Sequence, residues 1–436
     1  KAAAEIINSA KKPMIVFGQG IILGEAEAEL KAFVEKTGIP AAWTVLGLSA
    51  LPTDHPLNVG MVGMHGNYGP NVLTNECDVL IALGMRFDDR VTGNLETYAK
   101  QAKVIHFEID PAEVDKNVKA DVAVLGDVKE TLAAILPLVE AKCHESWHNE
   151  FKDKYSTELE AVINDELQPK KEGISMGETI EMINKHSKGD AIMVSDVGQH
   201  QMFTCRYSKF NTTKSNITSG GLGTRGFALP AAIGAKMGRP DREVVAIIGD
   251  GGFQMTIQEL GTIFQTKVPV KIVVLNNEFL GMVRQWQQLF FDKRYASTEM
   301  INPNFIAIAE GYYIKAKKVT KREDLDAAVA EMMASNPKWC MSLDEWKSHV
   351  HHWITNPGKN EVLLSFIFFD YSVTYGDTEI ASQLSDSIFE DVKANPIFYM
   401  HLVSGALQSP SPTGFFRQFL VEQDGANKDN FDIKRR

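Results

Sequence analysis

The chain has 436 residues, enough for two or three domains, and its 44% hydrophobic and 23% charged content is that of an ordinary folded protein. A formal net charge of −11 with no basic cluster excludes a nucleic-acid surface from the expected functions. Cys77, Cys143, Cys205 and Cys340 show neither CxxC nor metal spacing, the apolar runs are strand-sized, and no signal-peptide core opens the chain, so the expected setting is cytoplasmic and away from membranes. Residue 1 is Lys rather than Met, and the chain reads as a piece of a longer product.

Behind an amphipathic first helix, PMIVFG at 13–18 predicts a strand, 25–36 an amphipathic helix and 40–44 a second strand. DVLIALG at 78–84, KVIHFEI at 103–109 and the run at 121–125 continue the alternation, and 127–139 closes it with a helix. Such alternation marks a doubly wound parallel sheet, assigned to residues 1–145. Gly18-Gln19-Gly20 follows the first strand, but Gly24 comes one place late for GxGxxG and no acidic residue ends the second strand. The NAD fingerprint therefore fails, and this GxG is either a turn or a nucleotide contact. Gly63-Met64-His65-Gly66 is a glycine-flanked loop, and Arg86-Phe87-Asp88-Asp89-Arg90-Val91 follows a strand end. Arg86 and Arg90 can hold phosphate oxygens, with Asp88 orienting an arginine or a ribose hydroxyl; a surface ion-pair cluster is the alternative. Glu108 and Asp127 end strands too, and suit either a ribose or adenine contact or a helix cap.

Residues 146–174 are charged, poorly patterned and partly helical, and are assigned as a linker. A second α/β domain is expected over 175–335. It opens with a capped helix at 175–186 and a strand at 190–197 that runs into Gly198-Gln199-His200-Gln201. A glycine loop, 220–226, precedes a helix at 228–237. VVAII at 244–248 reads as a strand buried on both faces and ends on Gly249-Asp250-Gly251-Gly252. A helical segment at 256–265 leads to a second apolar run, 270–275, which ends on Asn276-Asn277. If these two strands are neighbours, the Asp250 carboxylate and the Asn277 amide oxygen converge at the carboxyl edge of the sheet. Hard oxygen donors of that kind suit Mg²⁺, and glycines let the backbone come close to a diphosphate. Met282 and Trp286 share one helix face, as core or as a wall beside a ligand, and 321–333 is a further amphipathic helix.

GMVGMHG, RFDDRVTG, VGQHQM, GGLGT, IIGDGGFQM and VLNNEFLGMVRQWQ, in this order, resemble the catalytic subunit of acetolactate (acetohydroxyacid) synthase over residues 1–334. The GDG…NN pair is similar to the thiamine diphosphate motif of the wider superfamily. The resemblance implies that 1–145 is a central domain holding FAD through Gly18, Gly20, Met64, His65, Gly66, Arg86, Asp88, Arg90, Val91, Glu108, Ile109 and Asp127. It implies that Asp250, Asn277 and the main-chain oxygen of Phe279 hold Mg²⁺. Gly198, Gln199, His200, Gly223, Gly249, Gly251, Gly252 and Met282 would surround thiamine diphosphate, with Met282 and Trp286 on the substrate side. The implied reaction is decarboxylation of pyruvate and its condensation with a second 2-keto acid, pyruvate or 2-ketobutyrate, in branched-chain amino acid biosynthesis. FAD is structural in that reaction. A homo-oligomer and a regulatory subunit are the implied partners. Glyoxylate carboligase, pyruvate oxidase and a non-catalytic FAD- or diphosphate-binding module are the alternatives, and Trp286 in QWQ favours the synthase.

Three departures accompany the resemblance. The family's cofactor-activating glutamate belongs to a pyrimidine-binding domain that these motifs do not include, so no catalytic residue is assigned and the chain is expected to be inactive alone. Arg225 stands where the family carries an apolar residue, usually Met. After 335 the family pattern stops, and 336–436 becomes aromatic-rich with short helical segments. NPKW at 336–339, GFFR at 414–417 and FDIK at 431–434 resemble the helical substrate-binding domain of nucleotidyltransferases, as if two coding regions had been joined.

Overall fold

The apolar runs pair as parallel strands. In the computed structural model, which describes residues 1–335, the described chain belongs to one compact unit, Lys1–Pro337. The helical expectation for 336–436, with Cys340, lies outside the described residues. The first sheet contains β1 (Pro13–Phe17), β2 (Ala41–Trp43), β3 (Asn58–Met61), β4 (Val79–Leu83), β5 (Lys103–Glu108) and β6 (Val122–Leu125), in the order β3-β2-β1-β4-β5-β6. The second contains β7 (Ile192–Ser195), β8 (Asn216–Thr218), β9 (Val244–Gly249) and β10 (Lys271–Leu275), in the order β10-β9-β7-β8. Every pairing is parallel, as two doubly wound α/β layers require.

Helices on both faces explain why β1 and β4 are apolar at every position. Ile15, Phe17, Ile81 and Leu83 point into one apolar cluster, while Met14, Val16, Leu80 and Ala82 point into another. The first cluster continues into Val245 and Ile247 of β9, so the two sheets share a core.

The structure departs from the sequence expectation in several places. Strands β3 and β8, and the helix Tyr68–Leu73, were not anticipated, because these segments are short and only partly buried. The supposed linker is ordered: the helix Glu145–Glu158 buries Trp147 and Phe151 against the first sheet, and Trp147 Nε1 donates to the Pro13 carbonyl at 2.8 Å. Its charged outer face had hidden this inner stripe. The helix expected at 256–265 is observed as Glu259–Thr266, and a further helix, Asp250–Met255, precedes it, with residues 256–258 between the two. The last expected helix begins as a short turn, Arg322–Asp324, and continues as Leu325–Ala334.

Arg206 ties the two sheets together. Its Nη2 donates to Glu158 Oε1 at 2.7 Å and its Nη1 to the Gly66 carbonyl at 3.2 Å. Glu158 Oε2 also accepts from the Tyr68 N–H at 2.9 Å. The helix Gln199–Tyr207 thus starts at the second sheet's edge and is anchored at its far end to the first sheet's glycine loop.

Candidate functional site

Strands β9 and β10 are neighbours in parallel register, with Leu275 opposite Gly249. Asp250 and Asn276-Asn277 therefore leave the sheet at the same carboxyl edge. A cleft of about 360 Å³ opens there, and Gly198, Gln199, His200, Gly249, Asp250, Gly251, Gly252, Asn277, Phe279 and Met282 all line it. Gly223 and Trp286 do not: Gly223 lies in an exposed loop, and Trp286 stacks on Phe290 at 4.8 Å. Met176, Val197, Leu275, Leu280 and Gly281 complete the wall together with Arg225.

Asp250 is 1% exposed. Its Oδ1 accepts from the Gly251 N–H at 3.0 Å, and its Oδ2 from the Glu278 N–H and the Asn302 amide, each at 2.8 Å. Asn302 is in turn held by Gln254 at 2.8 Å. Among the described residues no cationic side chain pairs with Asp250. Buried carboxylates are normally paired with a cation or a metal. A hard cation drawing on this carboxylate, the Asn277 amide and the Phe279 carbonyl fits that deficit. Such a donor set is not a cluster of three His, Cys, Asp or Glu, and no such cluster occurs among the described residues.

His200 stands across the cleft. Its ring is clamped between two strand ends: a Cβ at Gly198 would meet His200 Cε1 at 2.7 Å, and one at Gly249 would meet it at 2.8 Å. Only glycine admits the imidazole at both places. His200 Nε2 is buried without a hydrogen-bond partner. Burial, with a further contribution from the Arg225 charge, lowers the His200 pKa to about 4, so the ring is neutral at pH 7. Asp196 was not singled out from the sequence, although it closes β7 in SDVGQH. It is fully buried, accepts from the Val197 N–H at 2.8 Å and the Gly226 N–H at 3.1 Å, and abuts Gly252. Burial pushes its carboxyl above the ordinary carboxylate range, against those backbone N–H groups and Arg225.

At the carboxyl edge of the first sheet the residues assigned to a flavin also gather. The Met64 N–H donates to the Arg90 carbonyl at 2.8 Å, which joins the two predicted loops. Burial, then Arg206 and Arg90, lowers the His65 pKa. Gly18 and Gly20 are pressed against Gly84, so their GxG serves close backbone packing. Arg86 pairs with Asp88 at 2.6 Å and Arg90 with Asp89 at 2.9 Å, and both arginines stay more than half exposed, at 55% and 68%. Burial raises the Asp88 pKa, but the Arg90 N–H, Asp89 and the two arginine charges outweigh it and hold the carboxyl below its usual range. Asp127 caps the helix Val128–Ile135 through the Lys129 and Glu130 N–H groups. Glu108 accepts from the Ile109 and Asp110 N–H groups, while Ile109 is exposed and Val91 half-buried. In this structure Asp88 and Asp127 therefore cap helices, while Glu108 closes the turn after β5.

Residues 1–135 match the family profile described as thiamine pyrophosphate enzyme, central domain, and residues 196–340 match the C-terminal TPP binding domain of the same enzymes. Residues 1–135 and 196–340 thus carry two domains of the thiamine pyrophosphate enzymes. The pyrophosphate is the diphosphate of the sequence reading. Acetolactate synthase large subunit of Parasynechococcus marenigrum is 42% identical over 343 residues, covering 77% of this chain and 54% of that protein. Acetolactate synthase isozyme 2 large subunit of Escherichia coli is 40% identical over 350 residues, covering 79% and 62%. Acetolactate synthase large subunit of Lactococcus lactis is 42% identical over 322 residues, covering 73% and 55%. The chain thus spans little more than half the length of these curated relatives.

Two further profiles match the end of the chain: nucleotidyltransferase DUF294 over residues 324–360, and a nucleotidyltransferase substrate binding domain over 396–436. The first overlaps the thiamine pyrophosphate enzyme match between 324 and 340. Packing decides the described part of that overlap. Leu325 and Val329 of the helix Leu325–Ala334 are buried in the same core as Ile183 and Val245, so this helix folds with the α/β unit. Among the described residues no helix is long and apolar enough to cross a membrane.

Proposed function

We propose that the α/β part of this chain is the Mg²⁺- and diphosphate-binding part of a thiamine diphosphate-dependent enzyme that forms acetolactate. The observation that carries the reading is the buried, cation-free carboxylate of Asp250 beside Asn277, in a glycine-walled cleft that also holds the unpaired Nε2 of His200. Asp250, Asn277 and the Phe279 carbonyl would hold Mg²⁺. Gly198, Gln199, His200, Gly249, Gly251 and Gly252 would surround the diphosphate, with Met282 toward the substrate. When bound, thiamine diphosphate supplies the electron sink for decarboxylating pyruvate and joining its two-carbon remainder to a second 2-keto acid, pyruvate or 2-ketobutyrate. The chain's own residues bind and orient: neutral His200 adds no charge of its own, and Asp196 fixes the Gly226 turn against Gly252. The similarity to acetolactate synthases favours this reading over glyoxylate carboligase, pyruvate oxidase or a non-catalytic module.

FAD is proposed at the first sheet's carboxyl edge, as a structural group gripped by Arg86 and Arg90 and lying against Met64, His65, Gly66, Val91 and Ile109. Proton transfer to the cofactor is proposed to come from a glutamate of a pyrimidine-binding domain. A homo-oligomer and a regulatory subunit belong to the same proposal, in the cytoplasm. Exposed Leu222, Leu289, Phe290, Phe291 and Ile301 are apolar groups that a further domain or subunit would cover.

The test is acetolactate formation from pyruvate with Mg²⁺, thiamine diphosphate and FAD, with and without a separately supplied pyrimidine-binding domain. The expected result is product only where the two domain types meet, and no product from Asp250→Ala under the same conditions. Failure of the chain to bind thiamine diphosphate with Mg²⁺ by calorimetry would overturn the reading.

A further inference from the structure

Arg225 lines the same cleft, yet among the described residues it has no hydrogen-bond or ion-pair partner. Among the described residues every other arginine has a carboxylate or carbonyl acceptor. Asp196 lies close enough for the two charges to act on one another, but its oxygens are taken by backbone N–H groups and it forms no ion pair with Arg225. Asp250 likewise takes its hydrogen bonds from N–H donors and forms no ion pair with Arg225. The loop is fixed on both sides of the arginine: the Thr224 N–H donates to Ser219 Oγ at 3.0 Å, and the Gly226 carbonyl accepts from Thr256 Oγ1 at 3.0 Å. The guanidinium is therefore presented from an anchored turn. A half-buried cation without a counter-charge costs free energy that an anion entering the cleft would recover. His200 Nε2, nine-tenths buried and unpaired, is a second polar atom waiting in the same space. In the tautomer that carries its proton on Nε2, it donates to the same ligand.

We infer that Arg225 binds an anionic oxygen of the ligand in this cleft, either a phosphoryl oxygen of the cofactor or the carboxylate of the 2-keto acid. The inference rests on the diphosphate reading and deepens it. Related enzymes carry an apolar residue here by the resemblance above, so this chain has a charge at a place where its relatives rely on packing. A guanidinium offers two parallel N–H donors to either anion, which an ammonium does not reproduce.

The full 436-residue chain is titrated with inorganic pyrophosphate in the presence of Mg²⁺, and separately with pyruvate after loading with Mg²⁺ and thiamine diphosphate. Arg225→Met is expected to weaken one of the two by about tenfold or more, as loss of a charge-assisted pair does, with Arg225→Lys falling between it and the parent. Loss of pyrophosphate affinity names the phosphoryl oxygen; loss confined to pyruvate names the carboxylate. Unchanged or tighter binding of both overturns the inference. Arg225→Gln, with a matching circular-dichroism melt, separates a lost contact from a misfolded loop. If the unaltered chain binds neither pyrophosphate nor thiamine diphosphate with Mg²⁺, the diphosphate reading itself fails. If it binds both and Arg225→Met binds them equally well, only the role of Arg225 fails.

Discussion

Gly252→Ala is a small change with a large expected cost. A Cβ at Gly252 falls 2.0 Å from Asp196 Oδ2 and 2.9 Å from its Cγ. The carboxylate has no room to rotate away, because it is fully buried and held by the Val197 and Gly226 N–H groups at 2.8 and 3.1 Å. Either the helix Asp250–Met255 shifts or Asp196 gives up a hydrogen bond. Overpacking a tight site costs roughly 1–3 kcal/mol. Detaching a buried charged group from an N–H donor costs roughly 1.5–3 kcal/mol. About 1–3 kcal/mol of destabilisation is expected by whichever route gives way. Gly221→Ala is the control, since a Cβ there meets nothing within 4 Å. It should stay within about 0.5 kcal/mol of the parent. Urea denaturation followed by far-ultraviolet circular dichroism measures both. A Gly252→Ala transition that coincides with that of Gly221→Ala would refute the reasoning, because it would mean that Asp196 is free to move.

His200 makes stability pH-dependent with a definite sign. Its pKa is about 4 when folded, below the ordinary 6.5, so the unfolded chain binds the proton more readily between those values. Stability is full above pH 6.5 and is lost as pH falls toward 4, by about 3 kcal/mol for this group, and His200→Gln should flatten that segment of a stability–pH curve. Arg206→Met strands Glu158, which is 5% exposed, and should cost about 3 kcal/mol. Adding Glu158→Gln should recover part of it in the same urea assay. Asp250→Ala should abolish Mg²⁺-dependent binding of thiamine diphosphate, and calorimetry giving the parent affinity would return GDGG to an ordinary turn. Replacing both Arg86 and Arg90 with Gln should remove flavin from the purified protein, and an equally yellow product would leave the pair as surface ion pairs.

Much of the architecture was legible in local pattern. The unbroken apolar runs of β1, β4 and β9 announce strands covered on both faces, because no position in them tolerates water. The Ser175/Glu178 capping box marks the start of the helix Met176–Ser187 in the letters themselves. Polar residues at strand ends likewise assign Asp250, Asn277, Gly198 and His200 to the carboxyl edge of a sheet. Strands β3 and β8 escaped notice, being 4 and 3 residues long and only partly buried. Trp147 and Phe151 escaped because their helix shows solvent a charged face.

What the sequence by itself determined was the kind of each long element and the residues carried at its end, since hydrophobic period and capping are properties of neighbouring residues. Only the tertiary structure decided which ends meet. The order β10-β9-β7-β8 brings Asp250 beside Asn277 and clamps His200 between Gly198 and Gly249, and it sets Asp196 against Gly252. It also leaves Arg225 facing the cleft, unpaired among the described residues, and lets Arg206 reach a carbonyl 140 residues away. Strand order depends on how the helices pack across both faces of the sheet, a balance of contacts between distant segments that no local period encodes.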